Sequence, residues 1–246
     1  MRYFIQFAYF GKGYHGWQIQ PNAITVQQIL EEGLSMLLRS KVSVMGAGRT
    51  DTGVHAKEMY AHFDFLEIGD AMDLTHRLNK YLPSDIAVKS IFQVKDDAHA
   101  RFDAIQRTYE YWILQEKNPF YIDAAYFIWQ SLDITAMNMA AKILMEYEDF
   151  ECFSKSNTDV KTYRCKIEKA VWEKKDEKLI FTIKADRFLR NMVRAIIGTL
   201  LEVGLHKIEP ETIREIIKSK DRGKAGTSVP AKGLYLTKVL YPENSI

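Results

Sequence analysis

Asp51 is the only acidic side chain in the run Gly46-Ala-Gly-Arg-Thr-Asp-Thr-Gly-Val-His-Ala56, where Thr50 and Thr52 flank it and Arg49 lies close by. A carboxylate in this setting has four readings. Asp-Thr-Gly is the aspartic-peptidase triplet, in which two such carboxylates share a proton. Only one copy is present, Arg49-Thr50 replaces the apolar residues expected before it, and a second chain would have to supply the partner. Gly46-Ala-Gly48 after a strand hints at a dinucleotide loop, but Asp51 takes the third glycine position and a strand follows instead of a helix. The triplet can also be turn chemistry alone. The fourth reading is a single carboxylate doing covalent chemistry, which needs supporting groups from elsewhere in the chain.

Two places offer such support. Arg107-Thr-Tyr-Glu-Tyr111 sets Tyr109 on a strand. Arg187-Phe-Leu-Arg-Asn-Met-Val-Arg194 is expected to spread Arg187, Arg190 and Arg194 along the start of an apolar helix, with Arg190 and Arg194 on one face. Arginines near a helix start oppose the helix dipole, which makes a purely structural role less natural. The six histidines are scattered and no metal-ligand spacing occurs, so no metal is expected. Cys152 and Cys165 are too few for a disulfide framework and read as reduced thiols.

The elements that must position these groups follow from periodicity. Alternating runs at Val42–Met45 and Tyr60–Phe65 place Asp51 on a strand-to-strand loop, where reactive side chains are often presented. A first strand at Tyr3–Phe10 breaks at the glycine-dense loop Gly11–Gly16. Thr25 and Gln28 have capping-box spacing before a helix. The strand at 42–46, a strand at 58–66, a helix at 73–81 stopped by Pro83, and a strand at Ile86–Val94 complete a β-α-β-β-α-β order. The second half repeats it: a strand at 108–114, a helix at 134–147 with Asp133 as cap, strands at 166–172 and 179–185, a helix at about 189–203, a short helix after Pro210, and a last strand at Leu234–Leu240. The expected fold is therefore α+β. Two ferredoxin-like halves, 1–103 with the Asp51 loop and 104–246 with Tyr109 and Arg194, join into one mixed, mainly antiparallel sheet with an active-site cleft between them.

A chain of 246 residues, 47% hydrophobic, can bury one large core or two modest ones. A net charge of +2 is too small to announce a nucleic-acid surface, so phosphate binding must come from local clusters. Those expected are Arg187 with Arg190, the stretch Lys155–Lys166, and Lys218-Ser-Lys-Asp-Arg-Gly-Lys224. No long apolar run suggests a membrane span, and the N-terminus enters a strand at once, so a cytoplasmic location is expected.

Residues 9–20, Gly48–Ala56, His99–Ala104 with Arg107–Tyr109, Phe188–Arg194 and Pro230–Leu236 form an ordered set of blocks across nearly the whole chain. Together they closely resemble the tRNA pseudouridine synthase A family. The resemblance implies isomerisation of uridine to pseudouridine at positions 38, 39 and 40 of the tRNA anticodon stem-loop, by a homodimer without cofactor or metal. It makes Asp51 the catalytic aspartate, packs Tyr109 on the target base, pairs Arg194 with Asp51 and has Arg49 assist base extrusion. Thr50, Thr52, His55, Arg187 and Arg190 are the remaining expected substrate contacts. A catalytically silent RNA-binding protein on the same platform is the alternative.

Overall fold

The computed structural model describes residues 1–155 and 161–243. The chain divides into two compact units, Met1–Gln106 with Tyr235–Ile246, and Arg107–Leu234.

The first unit opens with β1 (Arg2–Tyr9), followed by α1 (Val26–Leu38), β2 (Met45–Gly46), β3 (His55–Asp64), α2 (Ala71–Tyr81) and β4 (Ile86–Val94). β1 pairs antiparallel with both β3 and β4, and β2 with the far end of β3, the ferredoxin-like order. Ile5, Phe7, Met59 and Phe63 share one sheet face and are buried, as are Leu30, Leu34, Leu74 and Leu78 of the helices, none more than 1% exposed, while Phe4 packs on the opposite face against His62 and Tyr241. Each such side chain contributes about 1.5–3 kcal/mol by leaving water. Both helices start at a side-chain cap: the Thr25 hydroxyl accepts from Gln28 N, and the Asp70 carboxylate accepts from Met72 N and Asp73 N.

β2 is much shorter than the alternating run at 42–45 predicts. The Val42 amide donates to Ser35 Oγ and the Val44 amide to Glu31 Oε1, while the Val44 carbonyl accepts from Gln27 Nε2. Side chains of α1 thus take backbone groups that a ladder would have used. The expected capping box is also only half made, because the Gln28 side chain reaches forward to Glu32.

The second unit contains β5 (Gln106–Leu114), β6 (Tyr126–Phe127), α3 (Ile134–Leu144), β7 (Ile167–Lys175), β8 (Lys178–Ala185), α4 (Met192–Gly204) and α5 (Thr212–Ser219). β8 pairs antiparallel with β5 and β7, and β6 runs parallel to the end of β5. Tyr111, Trp172, Phe181 and Ile183 are buried on one sheet face, with Met137, Ala140, Ile196 and Leu200 from the helices also buried. Asp133 caps α3 through Ala136 N.

α4 begins at Met192, not near Leu189. Asn191 has φ of 67°, a left-handed conformation that an α-helix does not continue through. Arg187 and Arg190 therefore precede the helix, and only Arg194 lies in its first turn, so Arg190 and Arg194 do not share a helix face. The last strand, β9 (Leu234–Leu240), was expected to close the second half. It is grouped with the first unit, where His55 and Ala56 of β3 pair parallel with Tyr235 and Leu236. The fold is α+β with mixed, mainly antiparallel pairing.

Candidate active site

The Asp51 loop is a turn and a platform at once. The Val54 amide donates to the Asp51 carbonyl at 3.1 Å, and Gly53 has φ of 79°, so residues 51–54 form a β-turn with glycine where positive φ is needed. The turn reading and the reactive reading are compatible: the turn sets Asp51 at its first corner, half-buried.

The glycine-dense loop at 11–17 clamps this turn. Trp17 N donates to Thr50 O at 3.2 Å, and Gly53 N donates to Tyr14 O at 3.3 Å. The Tyr9 and Thr50 hydroxyls lie 2.8 Å apart, and Gly11 N donates to His55 Nδ1 at 2.8 Å. The fit leaves no room for a side chain at Gly11 or Gly16. A Cβ on Gly11 would stand 2.0 Å from Val54 O, and one on Gly16, whose φ is 85°, 2.3 Å from Thr50 O. The clamp is itself anchored. The Tyr14 hydroxyl donates to Asp85 Oδ1 at 2.5 Å, and Phe10 N donates to Asp85 O at 2.8 Å. Burial, with the Asp85 carboxylate next, pushes the Tyr14 phenol well above its ordinary value, so it stays a donor.

His55 was expected to touch substrate. It is 1% exposed, with its ring 4.1 Å from Phe10 and 4.6 Å from Tyr235 by centroids. Its place is inside the support of the loop. Arg49 and Thr52 are exposed, and Thr50 is half-buried.

In the second unit, Tyr109 sits half-buried on β5, opposite Ile183 of β8. Phe188 meets it edge-on, with centroids 5.2 Å apart and an interplanar angle of 89°. Arg194 is held to the segment before β9: its Nε donates to Val229 O at 2.7 Å, and Val229 N donates to Arg194 O at 3.2 Å. That segment lies directly on α4, because a Cβ on Gly198 would stand 1.9 Å from Thr227 O. Gly226 N donates to Thr199 Oγ1, and Asn191 Nδ2 to Ser228 Oγ. Arg194 is thereby positioned by residues more than thirty positions downstream, a link that spacing alone does not reveal.

The remaining arginines and lysines divide. Arg187 is half-buried and Arg190 exposed, the latter's carbonyl accepting from Lys155 N. In the basic run at 218–224, Lys218 and Lys224 are exposed, and the other two cations have partners. Arg222 turns back to donate to Ala225 O, Gly226 O and Ser228 Oγ, and Lys220 Nζ is 2.6 Å from Asp149 Oδ2. Of the stretch 155–166, Arg164 pairs with Glu148, and positions 156–160 lie outside the described residues. Among the described residues no three His, Cys, Asp or Glu side chains converge as metal ligands, and no helix is long and apolar enough to cross a membrane.

The family model described as tRNA pseudouridine synthase matches residues 5–103 and 140–242. A protein of Parabacteroides distasonis named tRNA pseudouridine synthase A is 54% identical over 243 residues, covering 98% of this chain and 96% of its own. One of the same name from Bacteroides thetaiotaomicron is 54% identical over 246 residues, covering 99% and 91%. A third, from a Thermoanaerobacter species, is 40% identical over 235 residues, covering 95% and 96%.

Proposed function

Because the chain belongs to the tRNA pseudouridine synthase family and is an isomerase of tRNA uridine, we propose that Asp51 is its catalytic carboxylate and that its targets are uridines 38, 39 and 40 of the anticodon stem-loop. In the reaction the C1′–N1 glycosidic bond breaks and a C1′–C5 bond forms. C5 loses its proton and N1 gains one, so nothing is oxidised or reduced. The Asp51 carboxylate either attacks C1′ directly or takes a neighbouring sugar proton as the base departs. An ordinary glycosidase needs a second carboxylate as acid for its leaving group. Uracil carries its own negative charge on departure and is held in place to re-add, so one carboxylate suffices.

Asp51 belongs to one unit, and Tyr109 and Arg194 to the other; we propose that one flipped-out uridine engages all three. Extrusion from the stack costs a few kcal/mol. Stacking on the Tyr109 ring offsets about 1–3 kcal/mol of that, and Arg49, Thr50, Thr52, Arg187 and Arg190 are proposed to hold the displaced strand. The Tyr109 hydroxyl is further proposed to take part in moving the C5 proton. Arg194 is proposed to serve as the counter-ion to the reacting carboxylate, which its planar fork can hold. The working form is proposed to be a homodimer.

The observation that carries this reading is the clamp on the Asp51 turn. Peptide groups on both sides of the carboxylate are held by residues 9–17, far more support than a loop turn needs for its own sake. Tritium released from tRNA labelled at uridine C5 reports the isomerisation alone, because C5 must lose its hydrogen. Release accompanied by pseudouridine mapped at 38–40 supports the proposal, and release with pseudouridine confined to other positions overturns the site assignment.

A further inference from the structure

The block His99-Ala-Arg-Phe-Asp-Ala104 belongs to the motifs that mark the chain, yet the isomerisation gives it no task. In the first unit it is a tightly held loop. His99 N donates to Asp103 Oδ2 at 2.7 Å, and Asp103 N returns a bond to His99 O at 3.0 Å. The His99 Nδ1 accepts from two successive amides, Arg101 N at 3.1 Å and Phe102 N at 3.3 Å. Ala100, fully buried, donates its amide to His62 Nδ1 and accepts from the Tyr241 hydroxyl. The His99 imidazole in turn lies 4.6 Å from the His62 ring.

What this scaffolding presents outward is one aromatic ring and one cation. Phe102 is 74% exposed, backed by the His99 ring at 4.3 Å, with the Arg101 guanidinium 5.6 Å from its centroid. Of the acidic groups close by, Asp103 accepts from His99 N and Asp96 from the Arg2 amide, and Asp97 is exposed. A lone ring is far too small for a stable protein interface, which takes about 800 Å² on each partner. It is the right size for one nucleobase, and an adjoining arginine suits the phosphate of that nucleotide.

We propose that Arg101 and Phe102 form an RNA contact separate from the target-base site: Phe102 stacks on an unpaired base of the tRNA substrate, and Arg101 binds the phosphate beside it. This rests on the reading of tRNA as substrate. Because the contact is made equally in ground and transition states, it acts on binding and not on the chemical step.

The test uses the full chain and an unmodified tRNA transcript, with Kd measured across a salt series and tritium release measured for kcat and KM. Phe102→Ala should weaken tRNA binding by roughly 5- to 150-fold, raise KM in step and leave kcat unchanged. Phe102→Tyr should restore binding to within about threefold, and Arg101→Gln should reduce the salt slope by about 1. Thermal unfolding of Phe102→Ala should match the parent, since the ring is exposed. The proposal is overturned if Phe102→Ala binds like the parent, if Phe102→Tyr is as weak as Phe102→Ala, or if Phe102→Ala changes self-association instead of RNA affinity. The Kd series reads this contact whether or not tritium is released, so its failure is distinct from failure of the isomerase reading.

Discussion

Gly16→Ala and Gly48→Ala are the same chemical change in two motifs that meet around Asp51, and they should behave oppositely. At Gly16 an added Cβ falls 2.3 Å from Thr50 O and 3.1 Å from the Asp51 carbonyl carbon, where approaches under 3.0 Å are essentially never seen. The Thr50–Asp51 peptide must retreat by at least about 0.7 Å, or the loop at 11–17 must give way. Alanine at φ of 85° adds backbone strain of about 1–3 kcal/mol. A misplacement approaching 1 Å in a reacting group costs on the order of 10²-fold in rate. Gly16→Ala should therefore lower kcat in tritium release by about 10²-fold and reduce the denaturation midpoint. KM should change less, because the substrate-binding surface is largely kept. At Gly48 nothing lies within 4 Å of the added carbon, and kcat and midpoint should stay within about twofold and 0.5 kcal/mol of the parent. Equal kcat for Gly16→Ala and the parent would refute the claim that residues 11–17 place the carboxylate.

Other changes separate roles that spacing alone left joined. Tyr109→Phe keeps the ring proposed to stack on the target base, so tRNA affinity should hold while kcat falls; normal turnover would remove the hydroxyl from the proposed proton step. Arg222→Ala loses its hydrogen bonds to Ala225 O, Gly226 O and Ser228 Oγ, so urea denaturation should show a loss of about 1.5–3 kcal/mol. Its tRNA salt slope should be unchanged, and a flatter slope would return Arg222 to the phosphate surface. Burial, with Arg2 and His99 as neighbours, pulls the His62 imidazole down to about 4. A folded value below the unfolded one means that stability is intact above about pH 6.5 and falls as the pH drops toward 4. The loss is up to about 3.5 kcal/mol at 1.4 kcal/mol per unit, and denaturation of His62→Gln should show a shallower slope, the lowered His99 keeping its own part. The Asp64 carboxylate, held below its ordinary range by Arg2, loses its contribution only at still lower pH. Burial pushes both thiols up to about 12, so Cys152 and Cys165 should resist a disulfide reagent until the chain unfolds.

Local chemistry was legible wherever the partners are near in sequence. Asp133 caps α3, Pro83 follows the end of α2, and the strands Ile86–Val94 and Leu234–Leu240 have the limits that their alternation predicts. Gly53 supplies the positive φ that an Asp-Thr-Gly turn requires. What was not legible depends on distant partners. The run at 42–45 has the pattern of a strand, but the acceptors for its amides come from α1. Nothing in Arg187–Arg194 announces that Asn191 turns left-handed, and so the helical face shared by Arg190 and Arg194 does not form. The tie between Arg194 and Val229 and the clamp of residues 9–17 on residues 50–55 join segments about 35 to 40 positions apart. A signal did exist for the clamp: three glycines within six residues, Gly11, Gly13 and Gly16, mark a backbone that something else approaches closely.

The carboxylate of Asp51 is tested most directly by single-turnover tritium release from Asp51→Asn and Asp51→Ala with saturating enzyme, beside tRNA Kd for each. Both variants should bind tRNA within about threefold of the parent and lose on the order of 10⁴-fold or more in rate. A variant that retained more than about one part in a hundred of the parent rate would show that the reacting group lies elsewhere.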